Sequence, residues 1–383
     1  MTNRRLVLLF DGTWNKPESN TNVQRLRRWI APRDPADIEQ LLNYIPGVGV
    51  TPGLTHLLGG AFGYGLSGNV MEGYRWLCET WQPGDDLFLF GFSRGAYTAR
   101  SLGGMIRKCG LLRRDAGGKL GKAEVSRAYD FYRELDSKPD DAIARNFRAS
   151  QSVEADIHFI GVWDTVGALG IPGTAAWFPY ARSRYQFHDT ELSKIVKYAY
   201  QALALDEHRA DFQPAIWTRN PNTLKAGESL TSKKQEQVEI EQRWFIGAHS
   251  DVGGGYARDG AGRRPDPLPD LPLAWLQQKA IAAGLVCSEQ LRPPGDAWRG
   301  VPRNSYAEFM YGIYKDFKSA FDRYVGGGVN EKIDDSVWRR WLADSSYRSP
   351  SLVNALARAT VMLSVESVNL ETGIDPVPPG TPG

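Results

Sequence analysis

The 383-residue sequence predicts an α/β protein built on a mostly parallel, doubly wound sheet with helical insertions or a cap. Two observations carry this expectation. Three apolar runs at 6–10, 87–92 and 157–163 lack polar alternation, the pattern of strands buried on both faces. Between them lie segments whose apolar residues recur at helical spacing, and alternation of strand and helix places helices on both faces of a parallel sheet.

Taken in chain order, the first strand covers 6–10. A helix over 22–30 follows, with Asn22 as its cap, then a weaker strand at 41–45. A helix over 69–81 sets Val70, Tyr74, Leu77 and Trp81 on one face and leads into the strand 87–92. Helical spacing returns over 96–108 and 191–205, on either side of the strand 157–163, and a weaker strand covers 243–246. Residues 1–285 therefore read as one core, with insertions near 111–150, 165–190 and 206–240. Residues 286–370 read as a helical elaboration packed on that core, with the stripe Tyr306, Phe309, Met310, Ile313, Phe317, Phe321 and Tyr324 at helical spacing. Residues 371–383, with Pro376, Pro378 and Pro379, read as a flexible tail.

Charge excludes some functions. Lys and Arg number 46 against 44 Asp and Glu, so no basic excess speaks for nucleic acid. No apolar run approaches a membrane span, and the run before Asp11 is too short for a signal-peptide core. Cys78, Cys109 and Cys287 are odd in number and lack metal-ligand spacing, which fits a reducing, cytoplasmic setting.

The strongest chemical signal is Gly91-Phe92-Ser93-Arg94-Gly95, between a buried strand and a helix. A Gly-x-Ser-x-Gly turn there forces the serine into a strained conformation and exposes its hydroxyl at the sheet's carboxyl end. The backbone N–H of Arg94 then faces a developing oxyanion. A serine nucleophile needs a base, and the sequence has five histidines: His56, His158, His188, His208 and His249. His249 stands just beyond a strand, where α/β sites assemble, whereas His158 falls within an apolar strand and reads as core. Asp164 ends the apolar run 157–163 and suits the third role, with Asp206 and Asp251 as alternatives. The order Ser93, Asp164, His249 is that of a hydrolase. The loop after the first strand, with Gly12 and Thr13, supplies the second oxyanion donor, and Trp14, Trp177 and Phe178 are candidate walls of the substrate pocket.

Three other readings fail. Asp11-Gly12-Thr13 resembles a phosphatase motif, but Leu9 occupies the position of the nucleophilic aspartate. The Gly63-to-Gly68 G-x-G-x-x-G run does not directly follow a buried strand, as a dinucleotide fingerprint must. The pairs His249/Asp251 and Asp206/His208 lack a third ligand, so neither a metal nor another cofactor is expected.

Several segments together resemble a family. They are residues 10–15 (Phe-Asp-Gly-Thr-Trp-Asn), 44–49 (Tyr-Ile-Pro-Gly-Val-Gly), 91–97, 162–167, 202–207 and 249–256. In order and spacing they resemble the α/β-hydrolase domain family that includes the type VI secretion lipase effectors. The resemblance implies an α/β-hydrolase-like fold, a Ser93–Asp164–His249 triad, and cleavage of acyl esters, with phospholipids as substrates in the effector branch. It also implies peripheral membrane contact, a secretion or immunity partner, and export by a type VI system. Two alternatives stay open: an esterase for small soluble esters, and an inactive hydrolase-like binding module.

Overall fold

A computed structural model of the chain describes residues 4–12, 15, 19–47, 58–114, 118, 120–134, 136–167, 191–224, 228–256, 266–308, 315, 319–361 and 368–370. Among these, the main sheet comprises β1 (Arg5–Phe10), β2 (Gln40–Ile45), β3 (Asp86–Phe92), β6 (Ile157–Trp163), β7 (Val196–Ala204), β8 (Glu239–Phe245), β9 (Glu331–Ile333) and β10 (Val368–Leu370). A separate two-stranded ribbon pairs β4 (Leu111–Leu112) with β5 (Ser152–Val153). The main sheet runs β10-β9-β8-β7-β6-β3-β1-β2, and all of its pairings are parallel.

The apolar runs become central strands because each has two faces to bury. In β1, Leu6, Leu8 and Phe10 enter one core while Val7 and Leu9 enter the other. In β3, Leu87 and Leu89 face the first core, and Phe88, Phe90 and Phe92 the second. The first core is closed by α2 (Leu58–Thr80), α3 (Arg94–Cys109) and α4 (Lys122–Arg133), through Tyr74, Leu77, Leu102, Met105 and Val125. The second is closed by α1 (Asn22–Trp29) and the helix Asp270–Ala282, through Val23, Leu26, Leu273 and Leu276. This is the doubly wound α/β fold expected.

Four expectations need correction. The segment 191–205 is not a helix, since Val196–Ala204 forms β7 between β6 and β8. Both faces of β7 are covered: Val196 and Ala199 lie in the first core, Tyr200, Ala202 and Ala204 in the second. The apolar positions therefore satisfied helical spacing without being helical. The cap of α1 is Thr21, whose Oγ1 accepts from the backbone N–H of Gln24 at 3.2 Å, not Asn22. The helix read at 69–81 begins at Leu58, so the Gly63-to-Gly68 run lies inside a helix and not in a strand-to-helix turn. Beyond residue 285 the chain is not only helical. It adds β9 and β10 to the sheet beside the helices Asp335–Ala343 and Pro350–Val361. In the aromatic stripe, Phe321 and Tyr324 lie in irregular chain, while residues 309–314 and 316–318 fall outside the described residues.

Residues 111–153 carry the β4–β5 ribbon together with α4 and α5 (Ala142–Gln151). Residues 286–361 contribute a third apolar cluster, in which Ile333, Val337, Trp338, Trp341 and Leu352 meet Leu203, Trp244 and Ile246 of the core.

Candidate active site

Strand order reverses beside β1, which lies between β2 and β3. The crevice at the carboxyl ends of strands near such a reversal is where open α/β sheets place their sites. Ser93 follows β3, Asp164 follows β6 and His249 follows β8, all at that end.

The turn at Ser93 is dictated by close packing. A β-carbon on Gly91 would lie 2.4 Å from the Gly95 carbonyl oxygen, and one on Gly95 would lie 2.2 Å from the Phe10 carbonyl oxygen. Only glycine lets β1, β3 and α3 approach this closely. The serine between them adopts φ 59°, a strained value for a residue with a side chain, and its N–H donates to the Trp163 carbonyl at 2.9 Å. Asp164 also has positive φ, at 40°.

These conformations bring three side chains into line. His249 Nε2 lies 2.8 Å from Ser93 Oγ, and His249 Nδ1 lies 2.5 Å from Asp164 Oδ2. All three residues are buried, and the imidazole is held between the rings of Phe92 and Phe212, at centroid distances of 4.7 and 5.0 Å. Burial lowers the pKa of His249, opposed by its bond to Asp164. The lowered pKa favours the neutral imidazole. Burial pushes Asp164 upward, but the Arg323 charge and the His249 hydrogen bond outweigh it and hold the carboxyl well below the usual range.

Sequence reasoning did not identify Arg323. Its side chain is completely buried and grips Asp164 from behind, with Nη1 at 2.5 Å from Oδ1 and Nη2 at 3.0 Å from Oδ2. Nη1 also donates to the Ala204 carbonyl at 2.8 Å and Nη2 to the Phe212 carbonyl at 2.6 Å. Its one trace in the sequence is a guanidinium set inside an aromatic stripe. Glu207 and Arg209 were missed as well. Glu207 accepts the His249 N–H at 3.2 Å and pairs with Arg209 at 2.7 Å. Burial raises the Glu207 pKa, but the Arg209 bond and charge bring it down to about 2.

The other candidate acids point elsewhere. Asp206 accepts from the Gly247 N–H and the Tyr347 hydroxyl, and Asp251 from the N–H groups of Ala248 and Arg303. His158 bonds the Ala283 carbonyl, and His208 lies against the Phe321 carbonyl, both away from Ser93. Arg94 opens α3, where first-turn N–H groups lack acceptors within the helix. Gly12 packs against Ser93, where an added β-carbon would lie 3.3 Å from the serine Cβ. Its own N–H donates to Asp11 Oδ1 at 2.8 Å. Asp11 is itself fixed by Thr21 and Tyr44. Thr13, Trp14, Trp177, Phe178, His56 and His188 lie outside the described residues.

Among the described residues, no group of three or more His, Cys, Asp or Glu could hold a metal ion, and no helix is long and apolar enough to cross a membrane.

The chain resembles several known proteins. An uncharacterised protein of Saccharomyces cerevisiae, YEL023C, is 31% identical over 243 residues, which is 57% of this chain and 33% of that protein. The structure of the Tle1 effector bound to the VgrG spike of the type VI secretion system aligns at 20% identity and a TM-score of 0.38, covering 67% of this chain and 52% of that one. An uncharacterised Pseudomonas aeruginosa protein aligns at 19% identity and 0.45, covering 94% and 53%. The chain thus spans about a third of the curated relative and about half of these two structures. The family model for the catalytic domain of Tle1-like phospholipase effectors of type VI secretion matches residues 4–279, which include Ser93, Asp164 and His249. A match across that much of the sequence assigns the chain to the Tle1-like phospholipase effector family.

Proposed function

We propose that this protein is a serine carboxylester hydrolase acting on acyl esters of lipids, in the manner of a phospholipase A. The observation that carries the reading is the continuous hydrogen-bonded line from Ser93 through His249 to Asp164, with Ser93 on a strained turn. Ser93 Oγ attacks the ester carbonyl carbon while His249 Nε2 takes its proton. Asp164 accepts a hydrogen bond from the Nδ1–H, fixes the tautomer and stabilises the imidazolium as it forms. The tetrahedral oxyanion is held by the backbone N–H of Arg94 and by a second donor from the loop after β1, for which Thr13 remains the candidate. His249 returns the proton to the departing alcohol. It then activates a water that attacks the acyl-Ser93 ester, releasing the acid and restoring the serine.

Family membership supports the lipid substrate, and by the same route a peripheral membrane contact and a secretion partner of the spike type bound by the Tle1 effector. The test is a fluorophosphonate probe followed by a panel of short-chain esters and phospholipid vesicles. The wild-type chain labels at Ser93 and releases fatty acid from the vesicles. Ser93→Ala is not labelled and loses activity by about three orders of magnitude or more. An unlabelled wild type would leave a binding module with a hydrolase fold. Turnover of short esters alone would remove the lipid assignment and keep the chemistry.

A further inference from the structure

Arg323 lies beyond the stretch that matches the family model, which ends at residue 279, yet it reaches the innermost group of the site. Burying a charge is costly unless it is paired and its remaining hydrogen-bonding capacity is filled. Here the two terminal nitrogens of Arg323 make four bonds, two to the oxygens of Asp164, one to the Ala204 carbonyl and one to the Phe212 carbonyl, while Nε has no hydrogen-bond partner among the described residues. The Asp164 carboxylate is further held by the Ala204 N–H, which donates to Oδ1 at 3.0 Å. With both oxygens engaged from behind, the carboxylate plane cannot rotate, and the free side of Oδ2 is left for His249 Nδ1. Arg323 is anchored in turn by its own N–H, which donates to Ser351 Oγ on the helix Pro350–Val361 at 3.0 Å.

We propose that Arg323 is a positioning residue of this site: it fixes the Asp164 carboxylate toward His249 and shares that carboxylate's negative charge with the imidazole. The inference rests on the serine-hydrolase reading above. The charged groups that face the pair are few. Glu207 accepts the His249 N–H, Arg209 pairs with Glu207, and Arg323 stands behind Asp164. Asp164 favours the imidazolium and Arg209 opposes it. A guanidinium on the far side of Asp164 weakens the pull of that carboxylate on the histidine proton. His249 therefore stays in its proton-accepting form to lower pH than an unclamped pair allows.

The experiment measures kcat/KM against pH for hydrolysis of p-nitrophenyl butyrate by the full chain, with active sites counted by fluorophosphonate labelling. In Arg323→Met the acid limb moves to higher pH by about half a unit to one unit. The value of kcat per labelled site falls about tenfold to a hundredfold, a typical loss for a group that orients another, and KM changes less than twofold. Arg323→Lys keeps the charge but cannot make all four bonds, so it returns the limb toward wild type and recovers part of kcat. If Arg323→Met does not fold, Arg323→Lys decides, because it must still lower kcat per labelled site. A merely structural role moves neither the limb nor kcat per labelled site in any variant that folds, and that result overturns the proposal. A wild-type chain that fails to label overturns the hydrolase reading and this proposal with it. A labelled wild type whose variants keep its profile overturns this proposal alone.

Discussion

Residues 5–256 contain every group in the Ser93–His249–Asp164 line, whereas residues 286–361 contain none of them and yet reach four of the acids around it. Arg303 donates its N–H to Asp251, Ser305 its hydroxyl to Glu207, Arg323 its guanidinium to Asp164 and Tyr347 its hydroxyl to Asp206. The two regions stabilise the site by different physics. In the first, position is set by backbone: two glycines at van der Waals limits, positive φ at Ser93 and Asp164, and strand ends in register. In the second, position is set by three side chains and one backbone N–H that bond carboxylates carried by the first region. Backbone constraint leaves a local mark in sequence. Satisfaction of a buried charge from far along the chain leaves almost none.

The comparison can be broken most severely by removing one side of it. A chain ending at residue 285 strips Asp164, Glu207, Asp206 and Asp251 of these partners and exposes the cluster of Leu203, Trp244 and Ile246. We expect it to show no cooperative thermal transition and no fluorophosphonate labelling. A sharp transition with labelling intact would make residues 286–361 an accessory to a self-sufficient core. The next largest effect belongs to the core. Gly95→Ala drives a methyl group onto the Phe10 carbonyl and should cost about 3 kcal/mol or more in denaturant unfolding, since backbone on both sides cannot yield cheaply. A loss below about 1 kcal/mol would mean that β1 and α3 have room to separate.

Smaller changes sharpen the contrast. Tyr347→Phe removes one bond to the half-buried Asp206, which keeps the Gly247 N–H, so a loss of about 1 kcal/mol is expected with kcat within threefold of wild type. A large drop in kcat without a stability change would give that tyrosine a part in the reaction. The smallest effect is a gain. Burial raises the Asp251 pKa to about 7, and among the described residues its Oδ1 has no hydrogen-bond partner. A raised carboxyl pKa means the folded state binds the proton more tightly, so this group's contribution to stability declines as pH rises from about 4 toward 7. Asp251→Asn keeps an acceptor for Ala248 and Arg303 without the charge. It should therefore stabilise the protein by about 1 kcal/mol at pH 8, and the gain should vanish near pH 4. Equal thermal shifts at both pH values would contradict the ionisation argument.

What the sequence disclosed follows the same division. The strands β1, β3 and β6 were legible because a short, unbroken apolar run ending in a turn residue fits a strand covered on both faces. Ser93 was legible because glycine at both flanks marks a turn too tight for a β-carbon. Asp164 and His249 were legible by their position at strand ends. β7 was not, because apolar positions on both of its covered faces, among them Ala199, Ala202 and Ala204, also satisfy helical spacing. Arg323 was not, because its partner lies 159 residues away, in a stretch where local pattern reports only aromatic residues at helical spacing. Gly12 is a mixed case: its place beside Ser93 was legible, but the bond from its N–H to the Asp11 side chain was not.

The long reach of Arg323 also sets an order in time. A ribosome that has completed His249 has made all three residues of the Ser93–His249–Asp164 line, but must add 74 more before Arg323 exists. At roughly 5–20 residues per second that interval is on the order of 4–15 s. Throughout it, Asp164 has no guanidinium to pair with, and the strand β9 that extends the sheet past β8 has not been made. The growing chain thus holds Ser93, Asp164 and His249 before the guanidinium that pairs with Asp164 exists, and that pair forms only after the segment carrying Arg323 has been made and folded back onto the sheet.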